Sequence, residues 1–124
     1  MNEKTIEVAM GIILHAGEAR LCCKEALDAV ANCDFEKAAE KISDADKKIV
    51  EAHRIQTDAI QGEACGEKKE YSVLFAHAQD TLMTIYSEIN LAKQIIKIAK
   101  SYEDRIRRFP KNLFVGRCAR CKSV

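Results

Sequence analysis

The chain has 124 residues, 48% of them apolar and 31% charged, which is the balance of one folded domain and argues against a chain that is disordered as a whole. Twenty Lys and Arg against nineteen Asp and Glu leave a formal net charge of +1, so no domain-wide basic field argues for a nucleic-acid partner. No run approaches the roughly 20 apolar residues that span a bilayer, and the start Met1-Asn2-Glu3-Lys4 lacks a signal peptide's basic and apolar regions. A cytoplasmic protein without direct membrane insertion is expected.

One Pro and five Gly leave few breakers among abundant Ala, Leu, Lys and Glu, so the expected fold is all-α. A first helix is predicted over residues 4–31, with Ile6, Met10, Ile13, Gly17, Cys23, Leu27 and Val30 near a 3.6-residue repeat. Val8, Ile12, Ala19, Cys22 and Ala26 form a second apolar face. Asn32-Cys33-Asp34-Phe35 breaks the pattern, and Asp34 is a good N-cap because its carboxylate can accept the unpaired N–H groups of the following turn.

The second helix carries Phe35, Ala38, Ile42, Ala45, Ile49, Ala52, Gln56 and Ile60 on one stripe, and Gly62 and Gly66 mark its end. A polar loop over residues 66–70 then leads to Ser72 as the next N-cap. The third helix continues through Leu74, Ala78, Ile85, Ala92, Ile95, Ala99 and Tyr102 to about Glu103. The expected organisation is a three-helix domain over residues 1–104 and a basic tail over 105–124, which holds Pro110 and Cys118-Ala119-Arg120-Cys121. Three long helices with short links predict an antiparallel up-down-up bundle whose spare apolar stripes favour self-association.

The six cysteines occur without a secretion signal and read as reduced, inert thiols. A lone CxxC, Cys118 to Cys121, supplies only half of a structural zinc site. Neither a His-Glu metal motif of the H-E-x-x-H type nor a Glu-x-x-His pair is present. His15 and His53 read as local structural residues. His77 and Asp80, three apart on the third helix, share a face.

His77, set among apolar neighbours, is either a core histidine or a working imidazole: nucleophile, base or ligand. Asp80 could orient the ring, hold a metal or make polar contacts between subunits. A carboxylate directly beside a phosphorylated histidine would repel its added charge of about −1.5 to −2, so a phosphoryl role needs a compensating cation or an Asp80 turned elsewhere.

Four segments in order carry a family resemblance: Met10-Gly11-Ile12-Ile13-Leu14-His15-Ala16-Gly17-Glu18-Ala19-Arg20, Cys33-Asp34-Phe35-Glu36-Lys37-Ala38, Glu51-Ala52-His53-Arg54-Ile55-Gln56-Thr57 and His77-Ala78-Gln79-Asp80-Thr81-Leu82-Met83. Over residues 5–103 the chain resembles the lactose/cellobiose-type enzyme IIA family of the sugar phosphotransferase system. The resemblance implies a homotrimer of three-helix subunits that accepts phosphate from HPr and passes it to a IIB component, coupled to sugar uptake through a membrane IIC component.

On that resemblance His77 is the phosphorylated residue, and Asp80 holds a divalent metal, Mg²⁺ by ligand chemistry, one per trimer. Family members often carry a second histidine directly after the aspartate; this chain has Thr81. Val73 and Phe75 are the expected docking contacts around His77. A metal-binding bundle and a purely structural oligomer are the alternative readings.

Overall fold

A computed structural model describes residues 3–66 and 72–109. These form three helices, α1 (Glu3–Ala31), α2 (Phe35–Ala64) and α3 (Val73–Arg108), with no strand among the described residues. The expected all-α, antiparallel three-helix bundle is what the chain forms. Both predicted N-caps are in place: the Asp34 carboxylate accepts the Lys37 N–H at 3.1 Å and the Ser72 hydroxyl oxygen accepts the Phe75 N–H at 3.2 Å.

α1 ends in a left-handed residue. Cys33 has φ 61°, the Asp34 N–H donates to the Ala29 carbonyl at 2.9 Å and the Cys33 N–H to that of Val30 at 2.9 Å. This is the Schellman closure, which usually employs glycine at the left-handed position. α2 ends on Cys65 and Gly66, the latter with φ 97°.

Ion pairs mark the register of the bundle. Glu18 meets Lys48 at 2.8 Å and Glu25 meets Lys41 at 3.0 Å, so seven residues forward on α1 match seven residues back on α2. Lys93 meets Asp46 at 2.8 Å, and His53 lies against Tyr86, the same antiparallel relation between α2 and α3. Arg20 grips Glu88 with Nε and Nη2 at 3.0 and 2.8 Å, and α1 and α3 run parallel. Exposed pairs of this kind contribute little stability each; their value here is as markers of register. The bond from Lys48 holds the Glu18 carboxyl below the usual carboxylate range.

The core is narrower than the sequence periodicity suggested. On α1 the buried residues are Ala9, Ile12, Ala16, Ala19, Cys23, Ala26 and Ala29. Ile6 and Met10, expected in the first stripe, are exposed; beside Met10 it is the smaller Ala9 that is buried. On α2 the buried set is Ala38, Ala45, Ile49, Ala52 and Ala59, while Ile60 is exposed. On α3 it is Ala78, Leu82, Ile85, Ile89 and Ala92, while Ile95 and Tyr102 face outward.

α3 also continues past the expected end near Glu103 as far as Arg108, since nothing before Pro110 lacks an N–H. The expected polar loop lies mostly, and the Cys118/Cys121 part of the tail wholly, outside the described residues.

Leu82 is fully buried and Val50 is 62% exposed on the outer side of α2. Leu82→Ala is expected to cost about 2–5 kcal/mol in urea unfolding, and Val50→Ala to stay within about 0.5 kcal/mol. Equal losses from the two would refute this core.

Candidate functional site

The candidate site begins in the first turns of α3. The buried Ser72 cap holds the helix start, Phe75 packs partly against the core, and Val73 stands out at 74% exposure. Of the two expected docking residues, therefore, only Val73 offers its side chain; Phe75 is on the core side of the helix.

His77 is exposed, which removes the reading of a core histidine. Its apolar sequence neighbours do not bury it because adjacent residues on a helix point about 100° apart. Asp80 is exposed as well, and neither side chain takes part in a hydrogen bond or ion pair with the described residues. The Thr81 hydroxyl donates to the His77 carbonyl at 2.8 Å. That bond stays within the helix, a common use of threonine that satisfies its own polar group and slightly bends the turn.

The direction in which the pair points follows from helix geometry. Eighteen residues make five full turns, so His77 shares its azimuth with Ile95, Asp80 with Ile98 and Thr84 with Tyr102. All six side chains are exposed. Ile95 and Leu91 line a groove of about 440 Å³ between α1 and α3, with Cys23, Leu27 and Ala92 at its base and Arg20, Lys24, Asp28 and Glu88 among its lining.

On α1, Met10, Leu14 and Leu21 are exposed as well, on the outer side of that helix. One side of the bundle thus carries a stripe on α3 that is polar at its N-terminal end, where His77 and Asp80 sit. Farther along, the same stripe is apolar, with Leu91, Ile95, Ile98 and Tyr102.

The other histidines do different work. The His53 ring meets Tyr86 edge-on, with centroids 5.0 Å apart and planes at 89°. His15 sits half-buried between α1 and α2, its Nδ1 enclosed with no hydrogen-bond partner among the described residues and its ring near Glu18 and Glu51. Gln79 is half-buried on the flank of α3 away from His77.

Cys22, Cys23 and Cys65 are free thiols. Burial pushes Cys22 and Cys23 up, which keeps them protonated and unreactive near neutral pH. Cys33 departs from the expectation of six inert thiols: it is disulfide-bonded. It stands at the turn between α1 and α2 rather than in the core, so its sulfur is not packed as a small apolar group.

No group of three or more His, Cys, Asp or Glu side chains within one chain could hold a metal among the described residues. Asp80 by itself offers one carboxylate, short of a binding site. No helix among the described residues is long and apolar enough to cross a membrane.

Residues 7–100 match the family profile described as PTS system, Lactose/Cellobiose specific IIA subunit. The chain is 41% identical over 98 residues to the lichenan-specific phosphotransferase enzyme IIA component of Bacillus subtilis, an overlap covering 79% of this chain and 89% of that one.

Among solved structures it resembles the PTS cellobiose-specific enzyme IIA from Bacillus anthracis, with a TM-score of 0.79 and 38% identity over 84% of this chain and 95% of that one. It also resembles the IIA(Chitobiose)-HPr complex of the N,N'-diacetylchitobiose branch of the Escherichia coli phosphotransferase system, with a TM-score of 0.72 and 31% identity over 82% of this chain and 99% of the matched chain.

An exposed histidine and a ring-packed one should behave differently on removal. His77→Ala is expected to leave the unfolding midpoint nearly unchanged, whereas His53→Ala should lose about 0.5–1.5 kcal/mol with its edge-on contact to Tyr86. Denaturant titration of both variants checks the assignment.

Proposed function

The chain belongs to the lactose/cellobiose-specific IIA family of the sugar phosphotransferase system, and from that premise we propose that His77 is its phosphoryl carrier. The observation that supports this most is the exposure of the His77 ring, which takes part in no hydrogen bond or ion pair among the described residues. A ring nitrogen that must meet a donor protein and then an acceptor protein has to stand open to both.

A neutral ring nitrogen of His77 attacks the phosphorus of phospho-HPr in line. A nitrogen–phosphorus bond forms as the bond from phosphorus to HPr breaks, and HPr leaves with the bonding pair. In the second transfer a cysteine thiolate of the IIB component attacks the same phosphorus and His77 departs as neutral imidazole. The chemistry needs positioning rather than a redox or organic cofactor. Coupling to a membrane IIC component would make the phosphate the driving group for uptake of a β-linked disaccharide.

The recognition face is the exposed start of α3, with Val73 beside His77. The Thr81 hydroxyl, occupied by the His77 carbonyl, is not required as a phosphate donor group. A second imidazole at that position is dispensable in this reading.

Asp80 belongs to a different task. The exposed α3 stripe, from Asp80 through Leu91 and Ile98 to Tyr102, suits three parallel copies around a threefold axis, with the apolar residues buried between subunits. Such a homotrimer would gather three Asp80 carboxylates. Their mutual repulsion calls for a hard, oxygen-seeking divalent cation such as Mg²⁺, one per trimer. The cation would neutralise charge on the axis and so lessen the repulsion a phosphate on His77 would otherwise meet.

The test is phosphoenolpyruvate-dependent labelling in the presence of enzyme I and HPr. The wild-type chain is expected to take up an acid-labile, base-stable phosphate and release it to IIB, and His77→Ala to take up none. Normal labelling of that variant would remove His77 from the pathway.

A separate measurement addresses the cation. Sedimentation should show a trimer that chelator destabilises, while Asp80→Asn, with the three charges removed, should remain trimeric and indifferent to chelator. A monomeric wild-type chain, or Asp80→Asn that still responds to chelator, would contradict the proposed site.

A further inference from the structure

α3 outruns its neighbours. Ala31, eleven residues beyond Arg20, is level with Ala99, eleven residues beyond Glu88; by the antiparallel register of Lys93 with Asp46, the first residue of α2 is level with Asp104. From Asp104 to Phe109 every residue is exposed, whichever side of the helix it occupies.

This projecting end is chemically unlike the rest of the molecule. Residues 97–109 hold Lys97, Lys100, Arg105, Arg107 and Arg108 against Glu103 and Asp104, a net charge of +3. The sequence beyond adds Lys111, Arg117, Arg120 and Lys122 and no acid, so residues 97–124 carry +7. With +1 for the whole chain, residues 1–96 carry −6. The near-zero total conceals an acidic body with a strongly basic end.

Arginines in a last turn also complement the helix dipole, and Arg107 pairs with Glu103 at 2.8 Å while the Arg105 guanidinium lies 5.7 Å over the Tyr102 ring. Those contacts account for the placement of two cations. Ile106 and Phe109 stand exposed among the arginines. A duplex contacted through its phosphates would use the cations alone and leave the two apolar side chains in water. Cations with bulky apolar and aromatic side chains between them match the boundary of a bilayer, where the charges meet lipid phosphates and the apolar groups enter the acyl edge.

We propose that the overhanging end of α3 is a peripheral docking element for membranes containing anionic lipids. Arg105, Arg107 and Arg108 face the headgroups, and Ile106 and Phe109 enter the headgroup boundary without spanning the bilayer. In a parallel trimer three such ends would lie side by side, and binding would gain from their multivalency. The proposal stands apart from the phosphoryl role of His77.

The test is co-sedimentation of the full chain with vesicles of phosphatidylcholine alone or with about a third phosphatidylglycerol, at low and high salt. Binding is expected only to the anionic vesicles and should fall steeply with salt. Each cation at the surface is worth about fivefold in binding, so R105Q/R107Q/R108Q is expected to weaken it about a hundredfold. Phe109→Ala should weaken it by a smaller factor.

Circular dichroism of each variant establishes that the helices persist. Absence of binding to anionic vesicles, equal binding to neutral ones, or an unchanged affinity in the folded triple variant would overturn the proposal. So would tighter binding to a double-stranded oligonucleotide than to vesicles, with Phe109→Ala without effect on either.

Discussion

The bundle depends on the alanine seam between α1 and α2. Among the described residues, eleven of the seventeen buried apolar ones are alanine, and on these two helices they recur at Ala9, Ala16, Ala19 and Ala26 and at Ala38, Ala45, Ala52 and Ala59. A methyl group buries little area, of order 0.8 kcal/mol per carbon against about 1.5–3 kcal/mol for a larger aliphatic side chain. What the seam provides is close approach of two backbones. The larger side chains Ile12, Ile49, Leu82, Ile85 and Ile89 then fill the remaining space with α3.

A core made this way leaves large apolar residues over. Met10, Leu14 and Leu21 on α1 and Leu91, Ile95, Ile98 and Tyr102 on α3 are all outside, and Leu91 and Ile95 line the groove between those helices. The same economy that draws α1 and α2 together thus creates an apolar face with His77 and Asp80 at one end.

Much of the fold was legible in the sequence. Asp34 and Ser72 announced the starts of α2 and α3 because a side-chain oxygen before a helical repeat has one obvious use, and both make the expected bond. The inward faces were harder. Alanine carries a weak hydrophobic signal, so Met10 and Ile6 outranked Ala9 and Ala16, although the smaller residues are the ones between helices.

At the site, the spacing of His77 and Asp80 correctly placed them together on one side of α3. Their exposure was hidden by apolar letters adjacent in sequence but distant in azimuth. The bond from Thr81 to the His77 carbonyl could have been anticipated from its four-residue spacing, whereas the edge-on contact of His53 with Tyr86 required the register of two helices.

The length of α3 separates two encounters in space. From His77 to Arg108 the helix advances 31 residues, about 46 Å, several times the roughly 8 Å over which charges are felt at physiological salt. A protein engaged at the His77 end and a surface engaged at the basic end would neither touch nor sense each other's charge. Occupancy of one therefore need not compete with the other, and the rod could remain tethered throughout a cycle of partner exchange. Its tether height, rather than any contact at the base, would decide which partners come within reach of the exposed imidazole.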